Sequence, residues 1–159
     1  MVSELLTFFE HELKVLLASM LPVIEVRGAI PIGLTLGMSA YHAAAIAYIG
    51  SILPAPVIIL AGRKIVEFIS RWDPVRKLAQ HIVARTTGKY EIAYNKFGSW
   101  ALLVFVAIPL PGTGVWAGSL IASILRLRLK WAVLAILAGN AIATIIIAAT
   151  GYGVQRMLN

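Results

Sequence analysis

Apolar and polar positions are blocked along this chain, not interleaved. Three runs carry no Asp, Glu, Lys or Arg: residues 28–62, 97–125 and 131–155. Each is longer than the roughly 20 apolar residues a helix needs to cross a bilayer. The chain start patterns differently. Leu5, Phe9, Leu13, Leu16, Leu17 and Met20 recur at helical spacing, with Glu4, His11, Glu12 and Lys14 on the other side, which predicts an amphipathic helix over 4–21 that lies at the membrane surface or leads into it.

Two of the long runs cannot be single straight helices. A helix over 28–62 would extend roughly 50 Å against about 30 Å of hydrocarbon. Pro22, Gly28, Pro31, Gly33 and Gly37 crowd its approach, so 20–38 reads as a broken, re-entrant segment. Ser39 then supplies an N-cap for a span over 40–62, kinked near Pro54 and Pro56. The run 97–125 is interrupted at its middle by Pro109, Pro111, Gly112 and Gly114, and basic residues flank both of its ends. Both ends are therefore expected on one side of the membrane, making this run a second hairpin. Residues 131–152 are expected to make the last crossing, with Trp131 at the interface. The fold class expected is an all-α integral membrane protein built as an inverted repeat of re-entrant hairpin plus transmembrane helix, with amphipathic surface helices. It forms one membrane domain: a first repeat over about 20–62, a connector over about 63–98 and a second repeat over about 99–153.

Charge sharpens this picture. Of 159 residues 60% are hydrophobic and 13% charged, too little polar surface for a water-soluble globule. The net charge of +7 is concentrated in 63–98 and in Arg126, Arg128 and Lys130. Basic residues bordering apolar runs follow the positive-inside rule, which places these segments in the cytoplasm, both termini outside, and the protein in the cell's inner membrane as a multi-pass chain. Nucleic acid is not an expected partner, since that use of charge needs a folded polar face with stacking aromatics. Within the connector, Asp73 and Pro74 form an N-cap and N1 pair, predicting two short helices on the cytoplasmic surface, with Tyr90, Tyr94 and Trp100 at headgroup level. No basic n-region precedes the first apolar positions, so no cleavable signal is expected. The chain has no cysteine, which removes disulfides, thiolate metal sites and a catalytic thiol.

The candidate chemistry lies at the interruptions. Glu25 and Arg27 are ionisable groups in an apolar segment, where charge normally faces a partner or a water-filled cavity. Residues two apart do not face each other, so each is expected to find its own partner across the interface. The alternative is a structural pair that neutralises itself or caps the broken backbone of the opposing hairpin. Gly28 and Pro31 belong to the same break. In the second hairpin, the amides around Pro109, Pro111, Gly112, Thr113 and Gly114 are suited to bind an anion or hold Glu25, while Gly112, Gly114 and Gly118 suit close packing. The hairpin tips are expected to meet. Asn140 needs a hydrogen-bond partner and reads first as interhelical glue, second as a substrate contact. His11, His42 and His81 show no ligand spacing, so no metal or other cofactor is expected.

The runs Glu25-Val26-Arg27-Gly28-Ala29-Ile30-Pro31 and Pro109-Leu110-Pro111-Gly112-Thr113-Gly114-Val115-Trp116-Ala117-Gly118 resemble the small multidrug export protein family over nearly the whole chain. That family is similar in plan to the DedA/VTT superfamily, whose two facing re-entrant hairpins are linked to transport or flipping of lipids, including undecaprenyl phosphate. The resemblance implies a transporter or lipid scramblase, not an enzyme. Glu25 would carry a coupling proton, and Arg27 would receive an anionic or amphiphilic substrate. The second hairpin lacks the Arg that follows the Pro in DedA members, which argues against a two-arginine phosphate site. An intramembrane enzyme would need a His/Asp pair or metal cluster that this sequence lacks. A structural or assembly role is the other alternative. A third is a proton-coupled cation antiporter, which Arg27 beside Glu25 disfavours electrostatically. So short a chain is expected to enclose its pathway as a homodimer, among membrane lipids.

Overall fold

The computed structural model describes the backbone of residues 2–69, 91–110 and 112–158, with side chains over 7–64, 96–110 and 112–153. Among these residues the chain is all helix, in the order α1 Val2–Met20, α2 Glu25–Thr35, α3 Ala40–Ile52, α4 Ala55–Ile69, α5 Glu91–Ala107, α6 Val115–Ile124 and α7 Leu129–Leu158. Two stretches are long and apolar enough to cross a membrane, Ala40–Lys64 and Leu129–Gly153. Of the connector expected over 63–98, residues 70–90 lie outside the described residues, and with them the helix start expected at Asp73 and Pro74, His81 and the Tyr90 ring.

The breaks have the expected chemical causes. Pro54 and Pro56 have no N–H to return to the preceding turn, and the helix is interrupted at Leu53 and Pro54 before resuming with Ile58 N–H donating to the Pro54 carbonyl at 2.9 Å. The Ser39 hydroxyl caps α3 by accepting from the His42 N–H at 3.3 Å. The first 20 residues do not fold back as a separate surface helix. α1 packs against α2 and α3, forming one arm of a helical hairpin that turns at 21–24. Its contact face is Val15 and Ser19, both fully buried, whereas Phe9, Leu13 and Leu17 point outward. The apolar stripe read as a membrane-surface face is thus the outer face of a packed helix.

Both short helices end in the same way. After α2, Met38 N–H donates to the Gly33 carbonyl at 3.0 Å and Gly37 N–H to Leu34 at 3.1 Å. After α6, Leu127 N–H donates to Ala122 at 3.0 Å and Arg126 N–H to Ser123 at 3.1 Å. This paired 6→1 and 5→2 closure needs a left-handed residue at its fifth position. Gly37 (φ +82°) supplies it in the first case, Arg126 (φ +51°) in the second.

The resemblance continues along the long helices. Gly50 lies on the Leu16 carbonyl and Ser19 of α1, and Gly139 lies on the Leu103 carbonyl and Val106 of α5. Gly62 of α4 lies against Ser123 of α6, and Gly151 of α7 lies against Leu34 of α2. These pairs of glycines stand 89 residues apart, as do Gly37 and Arg126; Ser19 and Val106 stand 87 apart. Where the long helices α3 and α7 touch, corresponding residues meet each other. Asn140 Nδ2 donates to Ser51 Oγ at 2.8 Å, and Tyr48 donates to the Leu137 carbonyl at 3.2 Å, each across 89 residues. Two cores form, one around Val15, Val26, Ile30 and Ala47 with Ile147 and Ala148 of α7 packed on it, the other around Leu102, Val106, Val115 and Ile136 with Ala55 and Ile59 of α4 in it, so each half contributes to the core of the other.

Candidate functional site

The turn at 21–24 and the turn at 108–114 lie against each other, and the candidate site is where they touch. Glu25 opens α2 with a left-handed backbone (φ +45°) and is 3% exposed. That conformation takes its side chain off the helical register, and its Oε2 accepts from Arg27 Nη1 at 2.6 Å. The expectation that residues two apart point to separate places is therefore corrected: it assumed a regular backbone, and the left-handed residue brings carboxylate and guanidinium into one gap. They nevertheless have separate partners as well.

Glu25 Oε1 accepts from the Trp116 N–H of the opposing hairpin at 3.0 Å. Trp116 is the second residue of α6, whose N-cap Gly114 has no side chain to offer. The first amides of a helix lack internal acceptors and carry partial positive charge. Glu25 thus caps α6 from the other half of the molecule. Arg27 Nη2 donates to the Ile108 carbonyl at 3.1 Å, one residue beyond α5, and to Thr113 Oγ1 at 2.9 Å. The carbonyls at a helix C-terminus are equally short of partners and favour a cation. Thr113 in turn donates its single proton toward the Ile108 and Leu110 carbonyls, at 2.6 and 2.9 Å, which holds the turn shut. Trp116 adds a third tie, its Nε1 donating to the Met20 carbonyl at the end of α1 at 3.0 Å.

Gly114 makes this contact possible in two ways. Its backbone (φ +137°, ψ −163°) lies in a region that only glycine occupies readily. A Cβ there would also overlap Glu25 Oε2 and Arg27 Nη1 and stand 2.8 Å from the Glu25 carboxyl carbon. The close-packing role expected of Gly118 holds, since a Cβ there would meet Val106 Cγ2 at 2.6 Å. For Gly112 it does not: a Cβ would meet nothing within 4 Å, and what that position requires is its φ of +83°.

Of the residues expected to act together, the structure gathers Glu25, Arg27, Thr113 and Gly114. Gly28 and Pro31 lie further along α2, with Pro31 exposed inside the helix. Pro109 and Gly112 belong to the second turn, while Pro111 lies outside the described residues. Asn140 is elsewhere, fully buried on Ser51. Sequence reasoning did not single out Trp116, which belongs to the site, or Ser51, which lies with Asn140 away from it. Ser51 could have been found from its spacing to Asn140, which equals that of Gly50 to Gly139.

The fold and site define a class: an all-helical membrane protein in which two helical hairpins meet tip to tip across a buried ion pair. The particular family follows from comparison. The family model described as Putative small multi-drug export protein matches residues 25–146, and the chain belongs to that family. The match begins at Glu25 itself. No curated protein and no solved structure matches the chain.

Proposed function

We propose that this protein is a membrane transporter for an anionic or amphiphilic substrate, with the Glu25–Arg27 pair as an internal lock between two re-entrant hairpins. One observation carries the reading: the Glu25 carboxylate of one hairpin occupies an anion site formed by the α6 amides and Arg27. A substrate anion competes for that site when Glu25 leaves it. Protonation of Glu25 removes the attraction that holds the tips together, coupling release to a proton. The substrate's negative group is then received by Arg27, whose planar fork suits carboxylate and phosphate.

The arrangement of ends supports an inverted repeat with alternating access. Tyr41 at the start of α3 lies 6.4 Å, ring to ring, from Tyr152 near the end of α7. At the other end, Arg63 of α4 donates to the Leu127 carbonyl after α6, and Gly98 lies against Leu127. The long helices therefore run in opposite directions, and each hairpin enters and leaves at one end. The end with Arg63, Lys64, Lys96, Arg126, Arg128 and Lys130 is the cytoplasmic one by the positive-inside rule. Interrupted helices meeting at mid-depth are where transporters of inverted-repeat design bind substrate. A lipid substrate, a homodimer and an inner-membrane location belong to the same reading.

The test is uptake into proteoliposomes under a pH gradient, with a fluorescent anionic lipid in one arm and a lipophilic cation dye in the other. The lipid arm should respond. Glu25→Gln should abolish its pH dependence while binding persists, and Arg27→Lys should weaken it several-fold because a point charge replaces a fork. Transport of the cation dye alone would favour the antiporter alternative. The structural alternative draws on how completely the pair caps two helix ends, and it is the outcome if both variants lose folded protein with no specific transport defect.

A further inference from the structure

Where α3 meets α7 lies a polar cluster that takes no part in the hairpin contact. Ser51 and Asn140 stand at the middle of the two apolar stretches, and both are fully buried. The donor groups here are already engaged. Asn140 Nδ2 donates to Ser51 Oγ at 2.8 Å, and Ser51 Oγ to the Tyr48 carbonyl at 2.9 Å. The Tyr48 hydroxyl donates to the Leu137 carbonyl at 3.2 Å, and Thr144 Oγ1 to the Asn140 carbonyl at 2.7 Å.

What remains is a set of acceptors. Asn140 Oδ1, on the carboxamide that Ser51 holds in place, is buried without a hydrogen-bond partner. Ser51 lies in the last turn of α3, and the helix is interrupted two residues later. Pro54 and Pro56 carry no N–H, so the Gly50 and Ile52 carbonyls lose the donor that the fourth residue on supplies in a continuous helix. Such end carbonyls carry partial negative charge.

A water molecule brings donors and acceptors in equal number, whereas engaged donors beside unmet acceptors suit a cation. Interrupted-helix carbonyls at mid-depth are a known means of coordinating alkali cations. The oxygens are neutral, which favours a monovalent ion, since calcium and magnesium draw on carboxylates. Ala47 and Ala55, one turn to either side of Ser51, are buried, as is Ala143 beside Asn140, so the close packing admits a small ion.

We infer that this cluster is a sodium site, in which Asn140 Oδ1, Ser51 Oγ and the Gly50 carbonyl contribute ligands. Ser51 and Asn140 are each other's counterparts in the two halves, so the ion ties the halves together at mid-depth. The inference does not rest on the Glu25–Arg27 lock.

Radioactive sodium binding to the full chain in detergent, in choline chloride buffer, tests it. Binding should saturate, and unlabelled sodium should compete about tenfold more effectively than potassium. Sodium should also raise the melting temperature, as any ligand of the folded state does. Asn140→Leu should abolish both effects while melting like the native chain in sodium-free buffer, whereas Asn140→Asp, which keeps an oxygen there, should retain them. Pro54→Ala returns an N–H to the Gly50 carbonyl and should weaken binding several-fold. A folded native chain with no saturable binding would leave a buried water as the occupant and overturn the proposal. So would equal competition by potassium, or binding that survives both Asn140→Leu and Pro54→Ala.

Discussion

At the scale of single residues, Glu25 and Gly114 depend directly on each other. A methyl group on residue 114 cannot be accommodated by rotation of a flexible neighbour, because the atoms it meets are those of the ion pair itself. Gly114→Ala is expected to lower stability by about 3–5 kcal/mol, the range for breaking a buried pair, read as thermal unfolding in detergent. Asn140 gives the opposite expectation. Its Oδ1 has no partner and Ser51 keeps its own bond to the Tyr48 carbonyl at 2.9 Å, so Asn140→Leu removes one unsatisfied group along with one hydrogen bond. Its stability should stay within about 1 kcal/mol of the native chain. Loss of uptake at unchanged stability would instead make Asn140 part of the pathway. The sequence made Glu25 and Arg27 conspicuous because charge in an apolar run has few explanations. Their direct bond was not legible, since it depends on a left-handed φ at Glu25 that no glycine announces.

At the scale of elements, hairpins and long helices could be read from Pro and Gly interruptions because those residues act through backbone geometry, which is local. Where a hairpin arm begins could not. Whether the first 20 residues lie on a membrane or pack in the fold is decided by Gly50 of a distant helix, which lets α1 approach through Ser19. In the sequence the halves correspond only as two Gly/Pro-interrupted apolar runs each followed by a long one, because what they share residue by residue is a handful of close approaches and turn closures. Those closures allow a comparison. Gly37 has open space around its missing Cβ, so Gly37→Ala isolates the strain of a left-handed alanine and should destabilise by about 1–2 kcal/mol in the same unfolding assay. Arg126 carries a left-handed backbone at the corresponding position without being a glycine.

For the whole molecule, the chain's lack of cysteine makes topology directly measurable with single introduced thiols. Cysteines at positions 77 and 128 should react with an impermeant reagent from the same side, and one at position 41 from the other, because basic residues mark one end and Tyr41 lies at the opposite end. Reaction of 77 and 128 from different sides would turn the second hairpin into a crossing. The two stretches long and apolar enough to cross a membrane differ in continuity. One is interrupted at Leu53 and Pro54, whereas at the corresponding place in α7 stands Ala143, inside an unbroken helix. Under the proposed alternating access, a movement of one half against the other would bend at the interrupted helix and pivot as a rod about the unbroken one. If the protein works by the alternating access proposed above, opening toward the two faces of the membrane would follow two unlike motions, and the two openings would differ in rate.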